Sequence, residues 1–277
     1  MESERRALLA VKSDMYDHGD RFSSWTGKDC CGWRGVACDN TTGHVTKLDL
    51  RYPCTKTFMR PIPYLYQYDT WHVFLTNETI GVSKVNLSLQ ELKHLKYLDL
   101  SSNNFALAPV PKMIAALVHL EYLDLSKAMF DGLIPPQFGN LSKLHHLDLG
   151  GWYDNRLQVD DLDWLSRIPS LKYLDMSSGG NYLSGDMPET LQSLRDLEYL
   201  DLSGNSNVSV RMPTWLGNLT SFAIFKLVGN KLIGGEIPPI VGDFTLQILG
   251  HLDMSYNNLS GQIPRTMDGL CNINFDS

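Results

Sequence analysis

Between Leu95 and Met254 the hydrophobic positions recur in the frame L-x-x-L-x-L, seven times over. The middle apolar position falls at Leu98, Leu123, Leu147, Leu174, Leu200, Phe225 and Leu252, so successive units are 25, 24, 27, 26, 25 and 27 residues apart. An eighth unit is Val45-Thr46-Lys47-Leu48-Asp49-Leu50; Leu48 precedes Leu98 by 50 residues, twice the usual step, so this unit carries an insertion. A short strand alternates its side chains, which turns the leucines into each coil and the x positions outward. One coil cannot bury its own leucines, and stacking the next coil on it completes the core. A fixed period in the twenties therefore predicts an α/β, β-rich fold, a right-handed leucine-rich-repeat solenoid forming one elongated domain.

The same pattern divides the chain. Residues 1–44 form an amino-terminal cap, 45–94 the first repeat with its irregular insertion, 95–268 seven units, and 269–277 the start of a truncated further repeat, with no carboxy-terminal cap. In the cap, Ser3 precedes a segment with Leu8, Val11 and Met15 at helical spacing, which predicts a capped amphipathic helix covering the open end of the first coil. Trp25 and Trp33 are expected to plug that same end. From Arg51 to about Lys84 the frame disappears, and Tyr64, Tyr66, Tyr68, Trp71 and Phe74 crowd a stretch bearing Pro61 and Pro63. Such an insertion is either a functional loop or a poorly ordered one.

Polar punctuation follows each strand. Asn103, Asn205, Asn230 and Asn257 recur where an amide can serve the otherwise unpaired backbone of the turn, and Ala128, Trp152 and Gly179 interrupt the series. Irregularity is expected there, in the loop from Gly150 to Asp161. The convex side closes on Gly132-Leu133-Ile134-Pro135, Gly185-Asp186-Met187-Pro188, Gly235-Glu236-Ile237-Pro238 and Gly261-Gln262-Ile263-Pro264. Leu249, Leu252, Met254, Leu259 and Ile263, in the last full unit, are expected to have little covering them.

Net charge is −7, which disfavours a nucleic-acid partner, and no run approaches the roughly 18 apolar residues that cross a bilayer. Four of the five cysteines, Cys30, Cys31, Cys38 and Cys54, crowd before the clear repeats, and Cys271 stands alone. A Cys31 to Cys38 bridge would close a small loop and stabilise by roughly 2.5 kcal/mol on the chain-entropy view. The rival, zinc, lacks a C-x-x-C pair and has only His44 nearby. Sequons stand at Asn40, Asn77, Asn86, Asn140, Asn207, Asn218 and Asn258. With the cysteine-rich cap they point to a secreted or cell-surface glycoprotein, although Met1 to Val11 does not read as a secretory signal.

The outward strand positions are the candidate binding residues. Before the middle leucine stand Tyr97, Tyr122, His146, Tyr173, Tyr199, Ile224 and His251, and after it Asp49, Asp99, Asp124, Asp148, Asp175, Asp201, Lys226 and Asp253. Read as exposed, in-register aspartates repel by roughly 1 kcal/mol in water, which a basic peptide would relieve. Alternatively, Tyr-Leu-Asp-Leu-Ser is simply the preferred strand of this repeat. Catalysis has no sequence support: there is no phosphate loop, kinase motif set or nucleophile elbow. No cofactor or metal is expected, since His145 and His146 face opposite ways on a strand and Asp160, Asp161 and Asp163 lack the frame of a calcium loop.

Leu249 to Pro264 carries L-x-x-L-x-L-x-x-N-x-L-x-G-x-I-P, the repeat typical of plant extracellular leucine-rich proteins. Glu4-Arg5-Arg6-Ala7-Leu8-Leu9, Ser24-Trp25 and Cys30-Cys31-Gly32-Trp33-Arg34-Gly35-Val36-Ala37-Cys38 resemble the amino-terminal cap of plant receptor-like proteins. Thr42-Gly43-His44-Val45 and Val159-Asp160-Asp161-Leu162-Asp163-Trp164-Leu165 are similar to the ethylene-inducing-xylanase receptor group. The resemblance covers nearly the whole chain. It implies ligand recognition at the plant cell surface in defence, of a peptide or protein elicitor such as a microbial wall enzyme, and signalling through a partner receptor kinase. The family also implies a cysteine just before the Glu-Arg pair, bridged to the position of Cys30, where this chain has Met1-Glu2-Ser3; Cys30 is then either unpaired or turned to Cys54. The alternative is a secreted protein resembling polygalacturonase inhibitors, or a truncated product without activity.

Overall fold

Each L-x-x-L-x-L frame yields a strand of about three residues, because only the outward-inward-outward triplet around the middle leucine alternates cleanly. In the computed structural model the strands are β1 (Val36–Cys38), β2 (Val45–Asp49), β3 (Tyr97–Asp99), β4 (Tyr122–Asp124), β5 (Asp131–Leu133), β6 (His146–Asp148), β7 (Arg156–Gln158), β8 (Tyr173–Asp175), β9 (Ser184–Gly185), β10 (Tyr199–Asp201), β11 (Asn207–Val208), β12 (Ile224–Lys226), β13 (His251–Asp253) and β14 (Ile273–Asn274). The structure describes residues 2–17, 20–52, 82–151, 156–178, 183–185, 189–205, 207–208, 221, 223–230, 250–258 and 273–274. The aromatic insertion, Cys54, Cys271, Asn77, Asn218, Trp152 and Gly179 lie outside them, as do Leu249, Leu259 and Ile263.

One ten-stranded sheet runs β1-β2-β3-β4-β6-β8-β10-β12-β13-β14, parallel from β2 onward. The register matches middle leucine to middle leucine: Leu48 pairs Leu98, then Leu123, Leu147, Leu174, Leu200, Phe225, Leu252 and finally Ile273. All of these through Leu252 are buried. Full burial of such a side chain is worth roughly 1.5 to 3 kcal/mol, so each added coil stabilises its neighbour through several leucines at once. Leu252 and Met254, expected to lack cover, are instead buried, with β14 laid beside β13.

The opposite side of each coil is built from short 3-10 helices, Leu87–Glu91, Lys112–Ala116, Pro136–Asn140, Asp163–Arg167 and Glu189–Ser193, stacked on one another. Two-stranded parallel sheets, β5 with β7 and β9 with β11, form where the sequence suggested only turns. β7 corrects the expectation that the whole Gly150 to Asp161 segment is irregular. Its signal was hidden because a three-residue pairing to the preceding coil needs no alternating pattern.

At the amino-terminal end, α1 (Glu2–Asp14) buries Ala7, Leu8 and Val11 and packs on the 3-10 helix Leu87–Glu91. Its start at Glu2 means that Ser3 lies inside the helix and is not its cap. Trp25 stacks on Trp33 with centroids 5.1 Å apart, and both indole N–H groups are satisfied, on Arg34 O at 2.9 Å and Thr26 O at 2.8 Å. Cys31 and Cys38 form the expected disulfide, and Cys30 is a buried free thiol. Gly35 has φ +82°, and a Cβ there would collide with the carbonyl oxygen of Asp49, so the cap closes on the first coil only through glycine.

The asparagines act as the polar spine. Asn205 Nδ2 donates to Met176 O, Leu202 O and Ser203 O, and its Oδ1 accepts from Leu183 N, joining two coils. Asn103, Asn230 and Asn257 repeat the pattern, and buried Arg21 caps the series by donating to Asn103 Oδ1 at 3.1 Å. Asn205→Ala is expected to strand several buried carbonyls and cost about 3 kcal/mol in urea unfolding, against about 1 kcal/mol for half-buried Asn257→Ala. Equal, small losses at both sites would contradict this reading.

Candidate ligand-binding face

Register turns equivalent positions of successive coils into columns. Before the middle leucine, Tyr97, Tyr122, His146, Tyr173 and Tyr199 stack face to face with centroids 4.1, 4.1, 4.0 and 4.1 Å apart. Each ring face is covered by the next ring, so the column presents ring edges and hydroxyls outward. Lys47, which holds the tyrosine position in β2, lies 4.3 Å over Tyr97, and Lys226 lies 5.2 Å from Tyr199, so cations close both ends. Ile224 and His251, in β12 and β13, continue the column beyond Tyr199 in register.

The aspartate column behaves differently from its expected exposure. Asp99, Asp175 and Asp201 are buried, Asp99 with only 1% of its surface exposed, while Asp49, Asp124, Asp148 and Asp253 are half-buried. The reason is local chemistry at the strand end. Asp99 Oδ1 accepts from Ser101 N at 3.0 Å and Ser101 Oγ at 2.6 Å, while the Tyr97 hydroxyl donates to its Oδ2 at 3.3 Å. Asp124 with Ser126 and Tyr122, and Asp201 with the Ser203 N–H and Tyr199, repeat this; Asp175 with Ser177 and Asp253 with Ser255 share the serine half of it. A short carboxylate folding back on the N–H two residues on is an ordinary turn device.

Cations neutralise the ends of this column too. Arg51 grips Asp49 with two bonds of 2.9 and 2.6 Å and reaches Asp99 at 3.4 Å, and Lys226 lies 3.5 Å from Asp201. Burial opposes ionisation of Asp49, yet the Arg51 bonds and charge hold it below the usual carboxylate range. In the middle no ion pair forms among the described residues, and Lys127 and Lys226 act on Asp148 and Asp175 only through space. Burial raises Asp124 and Asp175, and burial together with Asp175 and Asp124 pushes Asp148 up to about 8. Burial lowers His146 to about 4, leaving a neutral imidazole.

Sequence reasoning missed Lys47 and Arg51, and also a second column at the edge of the face. His44 and His94 stack at 3.9 Å, His119 follows at 6.3 Å, and Lys143 Nζ lies 3.3 Å from His119 Nδ1. The signal was present, since each of the four immediately precedes the first apolar residue of its strand frame. His44 also joins cap to coil, its Nδ1 3.2 Å from Glu4 Oε1. Of the sequons, Asn40, Asn140 and Asn258 are exposed, whereas the Asn86 amide is occupied, accepting from Ser88 N and donating to Asp14 Oδ2 at 2.7 Å. Asn207 lies in β11.

Residues 1–39 match the Leucine rich repeat N-terminal domain, and residues 91–106, 119–141, 153–206, 196–219 and 249–270 match Leucine rich repeat families. Receptor-like protein EIX1 of Solanum lycopersicum is 36% identical over 95% of this chain; the alignment spans 24% of that relative, about a quarter of its length. Among solved structures, a plant ice-binding protein superposes with a TM-score of 0.73 at 22% identity, over 99% of this chain and 78% of that one, a likeness of fold. The Arabidopsis receptor kinase HAESA, in complex with the peptide hormone IDA and the co-receptor SERK1, is 25% identical with a TM-score of 0.63, over 99% of this chain and 49% of that chain.

The shifted groups set a pH dependence with a definite sign. Folded Asp148 titrates near 8 against about 3.9 unfolded, so the folded state holds the extra proton and stability falls as pH rises through that window. His146, lowered to about 4 from about 6.5, contributes oppositely, but only below about 6.5. Between pH 6.5 and 8 the Asp148 contribution stands unopposed by His146. Urea unfolding should show stability declining over that interval, and Asp148→Asn should flatten the decline; an unchanged slope would refute the assignment.

Proposed function

Because the chain belongs to the plant leucine-rich-repeat receptor-like proteins, we propose that it is ligand-recognition ectodomain of such a receptor, acting at the cell surface in defence. In this reading a peptide or protein elicitor lies along the concave, sheet-lined face. The observation that carries it is the continuous column of ring edges and hydroxyls backed by carboxylates. Such a surface offers hydrogen-bonding groups along successive coils and central carboxylates that a cation would help to ionise, suited to an extended, basic segment. HAESA, solved in complex with a peptide hormone and a co-receptor, supports a peptide ligand and a co-receptor partner. Among the described residues no helix is long and apolar enough to cross a membrane.

The test uses the full chain secreted from a glycosylating host, screened against basic peptides and fungal wall enzymes by biolayer interferometry. Tyr97→Ala and Tyr199→Ala, folded by circular dichroism, should weaken a captured ligand by about tenfold or more. Val118→Ser and Leu133→Ser, exposed and away from the sheet face, should leave it unchanged. The reverse pattern would move the site off the sheet. Glycopeptide mass spectrometry should find sugar at Asn40, Asn140 and Asn258, and little at Asn86, where the amide is engaged.

A further inference from the structure

The stacked column has one short member. His146 lies 4.1 Å from Tyr122 and 4.0 Å from Tyr173, with ring planes within 7° and 17° of parallel, so it holds one full layer of the stack. An imidazole lacks the outer carbons and the hydroxyl of a tyrosine. Beyond it, the outer ends of Tyr122 and Tyr173 therefore face each other across a slot one planar group thick.

The groups around the slot are short of donors. His146 Nε2 is buried without a hydrogen-bond partner. Asp148 lacks the serine hydroxyl that bonds both Asp124 and Asp175 and the tyrosine hydroxyl that bonds Asp124, since His146 replaces the tyrosine and Gly150 the serine, and its one hydrogen bond among the described residues comes from Gly150 N at 2.9 Å. A Cβ at Gly150 would sit 2.8 Å from Asp175 Oδ1 and 3.1 Å from Asp148 Oδ1, so a larger residue here would have to displace these carboxylates. Two positions of one coil thus depart together from the repeat, and both bear on the same carboxylate. The ion pairs of the column lie at its two ends, with Arg51 and Lys226, and among the described residues none reaches Asp148.

We propose that this slot is an arginine-recognition subsite, taking the guanidinium of one arginine of the ligand between Tyr122 and Tyr173, with its N–H groups donated to the Asp148 carboxylate. The proposal rests on the sheet-face reading and adds the side chain that the face selects. Elsewhere in the column a tyrosine hydroxyl stands 3.3 to 3.4 Å from its aspartate Oδ2, which marks where a ligand N–H would meet Asp148. A guanidinium is planar, about as thick as an aromatic ring, stacks on aromatic faces and carries a fork of donors. A lysine ammonium is a compact, strongly hydrated charge that fits neither the shape nor the donor count. The groups facing Asp148 are Asp124, Asp175, Tyr122, Tyr173 and neutral His146, with Lys127 acting only through space. An arriving cation would replace the proton that these surroundings keep on Asp148.

The test is calorimetric titration of the full chain with Ac-Ser-Gly-Arg-Gly-Ser amide and with its lysine and citrulline versions, citrulline keeping the plane without the charge. The arginine peptide should bind more than about tenfold tighter than the lysine peptide, with citrulline weaker still. At pH 7, runs in two buffers of different ionisation enthalpy should report about one proton released per arginine bound, and none for Asp148→Asn. His146→Tyr restores the residue the repeat uses elsewhere, should fold, and should fill the slot and abolish the preference. Equal binding of arginine and lysine peptides, no arginine binding at millimolar peptide, or arginine binding untouched in His146→Tyr would each overturn the proposal. A captured elicitor lost in Tyr97→Ala but retained in His146→Tyr would leave the sheet face standing and remove the slot.

Discussion

Everything in this molecule depends on one constraint: a single coil of about 25 residues cannot bury its own leucines. Burial is completed only when the next coil stacks in register, middle leucine against middle leucine. That requirement makes the sheet parallel and turns every outward position into a column. The columned face follows from the packing of the core, because the residues before and after each middle leucine have no choice but to line up with their equivalents one coil away.

Columns of identical residues create problems that the chain solves locally. Stacked tyrosines are compatible with close coil spacing because flat rings tolerate it, and each also supplies a hydroxyl. Aspartates are a harder case, since like charges in register repel. Folding each carboxylate back onto the N–H two residues on, with a serine hydroxyl added at Asp99, Asp124, Asp175 and Asp253, removes much of its need for water. Arg51 and Lys226 then cancel charge at the two ends, and the residual strain collects in the middle coils, at Asp124, Asp148 and Asp175.

Much of this was legible in the amino-acid order. The repeat phase, the Cys31 to Cys38 bridge, the tryptophan plug and the asparagine spine each rest on a spacing or residue type that admits few alternatives. The outward residues were read correctly as columns, but the exposure of the aspartates was not, because the D-x-S spacing that buries Asp99 acts through backbone geometry rather than hydrophobic pattern. β7 escaped for a related reason, being three residues held by a neighbouring coil. Lys47 and Arg51 were overlooked because their roles appear only once β2 is set in register with β3. The helix start read from Ser3 was late by two residues, the usual uncertainty of helix ends when judged from a single polar residue.

The central claim is that the sheet face, and not the helix side, is the recognition surface. Hydrogen–deuterium exchange of the full chain with and without a captured ligand tests it most directly. The account predicts added protection around residues 97–101, 122–126, 146–150, 173–177 and 199–203, the strands and the turns that follow them. Protection confined to residues 112–116, 136–140 and 163–167, the 3-10 helices on the opposite side, would contradict it.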